Sequence, residues 1–170
     1  MKPQILLTIP RDSQHNIADP WFENMPRILH TAAARHLFET AAERGILEYY
    51  EELGYFKGVG ITLPQLAYWC ICASTYLGLD RGPTETTYWK PFEKALNQKP
   101  KSLSRATGPL DLDRDRETGR PIRDSNGWPI GRELYTKDIT AFFNAFVSAT
   151  SADTQPPADP AQLDTSTPKE

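Results

Sequence analysis

Gly58–Leu79, GVGITLPQLAYWCICASTYLGL, carries no charged side chain, although 24% of the chain is charged. This stretch decides the fold. Thr62-Leu63-Pro64-Gln65 is a helix-start signal: the Thr62 hydroxyl can accept from a free amide of the first turn, and Gln65 can return a hydrogen bond to the Thr62 amide. Proline is tolerated there because first-turn amides have no partner inside the helix. Leu66, Cys70, Ala73 and Leu77 fall on one face; Tyr68, Trp69, Ile71 and Cys72 cover much of the rest. A helix apolar on most sides is surrounded by other elements. The reading is a buried central helix ending near Gly78.

A membrane span needs about 20 apolar residues, whereas the dense part here runs from Leu63 to Leu77 and includes Pro64, Gln65, Ser74 and Thr75. Near the start, Ile5-Leu6-Leu7 is too short for the apolar part of a signal peptide. Cys70 and Cys72 point to different sides of a helix, so they neither bridge readily nor match a metal-site spacing. Two apolar thiols fit a reducing cytoplasm, and no membrane partner is expected. With 170 residues, 39% of them hydrophobic, one domain with a substantial core is expected. A net charge of −3 excludes a uniformly basic coat for nucleic acid.

Working outward, residues 1–17 form an N-terminal arm with a short strand expected at Gln4–Ile9. Asp19-Pro20 starts a short turn carrying Trp21 and Phe22, and a helix is predicted from Pro26 to Arg44, stopped by Gly45. A shorter helix is expected from Ile46 to Leu53, and another from Thr84 to Asn97 with Trp89, Phe92 and Leu96 inward. Residues 98–133 read as loops, with a small hairpin at 120–130 turning at Asn126-Gly127. Thr136 is expected to cap a last helix whose Ile139, Phe142, Phe143, Phe146 and Val147 repeat at helical spacing. The helical domain is placed at 18–148. Residues 149–170, without an aromatic and with four prolines, read as a disordered tail. No internal repeat is evident. Leu37, Leu66, Trp69, Cys70, Ala73, Leu77, Trp89, Phe92, Phe142 and Phe146 are the predicted core.

Chemistry-bearing motifs mostly fail on inspection. Asp111-x-Asp113-x-Asp115 suggests a calcium loop, but that loop needs glycine at its sixth position and glutamate at its twelfth; Arg116 and Ile122 stand there. His36, Glu39 and Glu43 share a helix face without a matching second helix. Neither cysteine has a histidine close in sequence, and no phosphate loop or nucleophile elbow is present. No catalytic residue, metal or cofactor is expected, and the chain reads as non-enzymatic.

Charge distribution is more informative. Arg81–Arg105 carries a net charge of +4, against −2 over residues 1–57. A helix-turn-helix-like order at 62–97 would offer the N-terminal residues of its second helix to base edges. Lys90, Lys94, Lys99, Lys101 and Arg105 are then the phosphate contacts, and Thr86 and Thr87 the residues that reach bases. The hairpin at 120–130 would serve as a wing.

The run LGYFKGVGITLPQLAYWCICASTYLGLDRGPTETTYWKPFEKAL resembles the C-terminal region of the RteC-type regulators of Bacteroides conjugative transposons. The shared features are Gly54-Tyr55-Phe56, the Leu66-Ala67 pair and the aromatics from Tyr88 to Phe92, over roughly 45 residues and without that family's longer N-terminal part. The resemblance implies a helical, winged-helix-like DNA-binding regulator. The combined expectation is a mainly α, multi-helix domain with a small β-hairpin, acting as a regulatory or accessory protein that binds DNA. The alternative is a protein-interaction adaptor presenting Trp21, Phe22, Tyr49, Tyr50 or Trp128.

Overall fold

The structure, a computed structural model, describes residues 25–154, with side chains from 25 to 150. The expected strand at Gln4–Ile9, the turn with Trp21 and Phe22, and the tail beyond 154 lie outside the described residues. Within them the order is α1 (Ala32–Glu43), β1 (Leu47–Tyr50), β2 (Tyr55–Gly58), α2 (Leu63–Tyr76), α3 (Lys90–Ala95), α4 (Ser102–Arg105) and α5 (Glu133–Thr154). Short 3-10 turns lie at Arg27–Leu29 and Gly108–Leu110. The fold is mainly helical with one small antiparallel hairpin.

The uncharged stretch forms the central helix as read. Thr62 Oγ1 accepts from the Gln65 amide at 3.2 Å, and the Thr62 amide donates to Gln65 Oε1 at 2.8 Å. Every residue from Leu66 to Ser74 is buried. Around this helix the core is aromatic. Phe38 of α1 lies edge-on to Trp69 of α2 at 5.2 Å, tilts against Phe56 of β2 at 5.2 Å and stacks over Phe92 of α3 at 6.4 Å. One ring therefore ties four elements together. On the far side, α5 brings Phe143 to Trp69 at 5.7 Å and Phe146 to Tyr76 at 5.3 Å. Each such pair contributes about 0.5–1.5 kcal/mol beyond its buried area. Of the predicted core, Leu77 and Trp89 are only partly buried.

Four boundaries differ from the sequence reading. The helix expected from Pro26 is broken at His30 and restarts at Ala32, because Thr31 turns extended and its hydroxyl accepts from the Ala34 amide at 3.1 Å. Ile46–Leu53 is not helical. Leu47, Glu48, Tyr49 and Tyr50 alternate buried and exposed, the period of a strand, and Leu47 pairs with Gly58 while Tyr50 pairs with Tyr55. Aromatic side chains favour that pleated surface. The helix expected over Thr84–Asn97 contracts to Lys90–Ala95; Arg81 and Thr86 exchange backbone hydrogen bonds at 2.8 Å each, closing a loop that a helix cannot contain. Finally, α5 starts at Glu133 rather than after Thr136 and continues to Thr154, six residues into the expected tail.

Residues 113–130 hold a repetition the sequence reading missed. Asp115-Arg116-Glu117-Thr118-Gly119-Arg120-Pro121-Ile122 and Asp124-Ser125-Asn126-Gly127-Trp128-Pro129-Ile130 both run Asp, Gly, x, Pro, Ile. They fold as twin turns. Asp115 Oδ1 accepts from the Glu117 and Thr118 amides at 2.7 and 3.0 Å; Asp124 Oδ1 accepts from those of Asn126 and Trp128 at 2.9 and 3.0 Å. Gly119 (φ +76°) and Gly127 (φ +94°) supply the left-handed turns. The turn at Asn126-Gly127 falls where expected, but it is held by an isolated bridge, Arg123 with Pro129, rather than by paired strands. The pair of turns is anchored to the helices: Tyr68 donates its hydroxyl proton to the Pro129 carbonyl at 2.6 Å, and the Trp128 indole donates to Asn144 Oδ1 at 2.7 Å.

Candidate nucleic-acid interface

Lys90 and Lys94 stand one turn apart on α3, both exposed, because the opposite face of this short helix is spent on Phe92, Ala95 and Leu96 in the core. They line an open groove of about 540 Å³. Arg27, from the 3-10 turn before α1, lines the same groove with Ile28, Tyr88 and Pro91. Three cations from two separate segments thus share one concave surface, against one carboxylate, Glu93. That carboxylate is already engaged within the fold, since Glu93 Oε2 accepts from the Lys101 amide at 2.9 Å.

This bond fastens the loop that follows α3. Asn97 (φ +52°) and Lys101 (φ +72°) both adopt left-handed backbone, which asparagine tolerates and which costs a lysine about 1–2 kcal/mol. Between them Lys99 and Pro100 project outward, and Lys99, Lys101 and Arg105 are all exposed. None of these three lines the groove with Lys90 and Lys94. Arg81 is occupied elsewhere; its guanidinium carbon sits 3.5 Å from the centre of the Tyr88 ring.

Thr86 and Thr87 do not stand at a helix N-terminus, so the premise for their reading bases fails. Both belong to the loop before α3, where Glu85 takes left-handed backbone (φ +56°). They line a smaller cavity of about 110 Å³, together with Thr75, Asp80, Glu85, Trp89, Arg114 and Arg123. Arg123 is its structural hub. Its Nη1 donates to Thr75 Oγ1 at 3.2 Å and to the Gly127 carbonyl at 2.9 Å; its Nη2 donates to Glu85 at 3.1 Å and to Asp80 at 3.4 Å. Asp80 also accepts from the Ser74 and Thr75 hydroxyls at 2.6 and 2.8 Å. Sequence reading did not single out Arg27 or Arg123 as site residues. The repeated Asp–Gly–x–Pro–Ile pattern was the available signal for Arg123, since it sits at the junction of the two copies.

The remaining sequence candidates take structural roles. Cys70 and Cys72 are free and buried, and burial pushes both thiols up. Tyr68 is raised for the same reason, reinforced by the neighbouring Cys72. Asp115 is held below its ordinary value by the Thr118 and Glu117 amides that its carboxylate accepts from. His36 is exposed and packs on Phe146 at 5.1 Å, and Glu39 pairs with Arg35 at 3.0 Å. Among the described residues, no three His, Cys, Asp or Glu side chains gather to hold a metal ion, and no helix is long and apolar enough to cross a membrane. Of the aromatics expected on an adaptor surface, Tyr49 and Trp128 are buried in the core, Tyr50 is exposed, and Trp21 and Phe22 lie outside the described residues. Compared with known proteins, the chain matches no family model, no curated protein and no solved structure.

Proposed function

We propose that the chain is a non-enzymatic regulatory or accessory protein that binds DNA through the cationic surface around α3. One observation carries this reading: Lys90, Lys94 and Arg27 line a single groove although they come from different segments. Solvated lysines on an isolated helix face would need no such partner from elsewhere in the chain. Lys99, Lys101 and Arg105 extend the positive surface beside it. The helices α2 and α3 form the helix-turn-helix-like pair, with the twin turns at 113–130 as the winged-helix-like appendage, in keeping with the resemblance to RteC-type regulators. Sequence readout then falls to the exposed side chains of α3 rather than to Thr86 and Thr87. Cations that meet the phosphate backbone set affinity and its salt dependence rather than sequence preference.

The test is fluorescence anisotropy with a labelled duplex over a range of salt concentrations. Lys90→Ala with Lys94→Ala should weaken binding and lower the slope of log affinity against log salt by about 0.9 for each phosphate no longer neutralised. Unchanged affinity at low salt, in a variant that circular dichroism shows to be folded, would sink the proposal.

A second reading, an adaptor for a protein partner, is favoured by a different surface. Tyr50, Val59 and Leu63 are exposed large hydrophobics lining a groove of about 480 Å³ between the β-hairpin and the start of α2. Affinity capture followed by native mass spectrometry separates the two: a bound protein that survives nuclease favours the adaptor, and loss of all bound material favours DNA.

A further inference from the structure

We infer that the two open grooves of the structure form one track that holds single-stranded DNA. This rests on the DNA-binding reading and narrows its ligand to a strand with unpaired bases.

The grooves meet at one side chain. Gln98 lines both the groove of about 540 Å³ beside α3 and the groove of about 480 Å³ between the β-hairpin and α2. A strand that follows the first past Gln98 therefore enters the second. Ser102 steadies this junction, its hydroxyl donating to Gln98 Oε1 at 3.1 Å.

Cations run the length of the track. Arg27, Lys90 and Lys94 line the first groove and Lys57 the second. None of the four makes an ion pair with another described residue. Two carboxylates lie along the same path. Glu93 accepts from the Lys101 amide, and Glu48 stands across the strand pair from Lys57. The excess is positive, as a chain of phosphates requires.

Between the cations the walls are apolar and aromatic. Ile28 and Tyr88 line the first groove, and Tyr50, Val59 and Leu63 the second. Each groove holds one tyrosine with a cation over its ring. The Arg81 guanidinium carbon is 3.5 Å from the centre of Tyr88, and the Lys57 ammonium is 5.3 Å from that of Tyr50. Rings and positive charges along one groove suit a single strand, whose bases stack while its phosphates meet the cations. A duplex keeps its bases within its own stack and offers phosphates to the rim, so the apolar walls gain no partner from it. Asn97, exposed beside Gln98, adds a side-chain amide that can both donate to and accept from a base edge.

The experiment is fluorescence anisotropy on the full chain with three labelled probes of about 12 units, within the site sizes of single-strand grooves. They are a mixed-sequence DNA strand, the same strand in a duplex, and an abasic strand that keeps the phosphates. The strand should bind about tenfold more tightly than the duplex, and the abasic strand should lose that margin. Tyr50→Leu should lower the affinity for the strand relative to the duplex by about tenfold, the loss of one stacked base. Lys57→Gln should lower the slope of log affinity against log salt for the strand by about 0.7, one phosphate no longer neutralised. Lys57 is exposed, so this variant remains informative even if Tyr50→Leu fails to fold. A duplex bound as tightly as the strand, an abasic strand bound as tightly as the natural one, or an unchanged salt slope in folded Lys57→Gln would each overturn the track. Those results leave the Lys90 and Lys94 surface standing as a duplex site. Binding of neither strand nor duplex removes the DNA reading itself, and the track with it.

Discussion

Arg123 Nη2 donates to the Glu85 carboxylate at 3.1 Å, joining residues 38 positions apart in the chain. The bond pins a glutamate whose backbone is left-handed, φ +56°, and so fixes the loop that delivers α3 to the core. Because the same guanidinium also reaches Thr75, Asp80 and the Gly127 carbonyl, one side chain sets the relative positions of α2, the 80–89 loop and the second turn.

Removing that side chain leaves the Asp80 carboxylate partly buried with its hydroxyl partners alone. Arg123 is 22% exposed and Asp80 16%, so solvent screens the pair incompletely. Arg123→Ala should cost about 1–3 kcal/mol, below the cost of breaking a fully buried pair. Arg123→Lys should recover only part of this, since one ammonium cannot replace a planar fork that serves four acceptors. Urea denaturation of the three proteins measures both effects.

The buried thiols give a pH dependence of definite sign. Cys70 and Cys72 titrate higher folded than unfolded, from an ordinary value of 9.0. The unfolded chain therefore ionises first as pH rises. Their contribution to stability is intact below about pH 9 and is lost progressively above it. Cys70→Ala with Cys72→Ala should lose less stability than the parent between about pH 8 and 10, by urea titration at each pH. In the native chain a thiol reagent should react only at the rate of unfolding.

Asp115 shows the opposite behaviour at acid pH. Its carboxylate accepts two turn amides, which holds its titration below the ordinary value of 3.8. Stability from this turn is present above that value and falls away as the carboxyl protonates in the folded state. Carboxyl resonances should show Asp115 titrating below the ordinary value of 3.8. A midpoint at or above the ordinary value would contradict the turn geometry.

Two glycines should respond differently to alanine. A Cβ at Gly131 would lie 2.8 Å from the Leu110 carbonyl oxygen and 2.9 Å from Leu112 Cδ2. Backbone would have to move, so Gly131→Ala should cost about 1–3 kcal/mol as overpacking. At Gly78 (φ +70°) nothing lies within 4 Å of the added atom. Gly78→Ala should cost about 1–2 kcal/mol from left-handed backbone alone. Thermal denaturation should show a cavity-expanding third change, Gly131→Ala with Leu112→Ala, partly relieving the first and leaving the second untouched.

The parts legible in the sequence were those in which local chemistry and burial agree. Thr62, Gln65 and the uncharged run after them specify α2 without reference to anything distant, and the Phe142–Phe146 spacing does the same for α5. Where a segment's structure depends on partners outside itself, the reading failed. Ile46–Leu53, read as a helix although Tyr49 and Tyr50 favour a pleated surface, forms a strand at Leu47–Tyr50 because Tyr55–Gly58 folds back beside it. Thr84–Trp89 has no helix-breaking residue inside it, yet Thr86 bonds to Arg81 and Glu85 is held by Arg123. The candidate lysines were visible as a charge imbalance. Arg27 was not, because it lies far from Lys90 along the chain and the two segments meet only in the fold.

Trp89 and Lys90 are consecutive residues: the indole walls the enclosed cavity, and the ammonium edges the open groove. Thr87 and Tyr88 repeat this alternation, so the approach to α3 is a partition with one chamber on either side. A side chain changed on one side of that partition therefore shifts the backbone that carries its neighbour on the other.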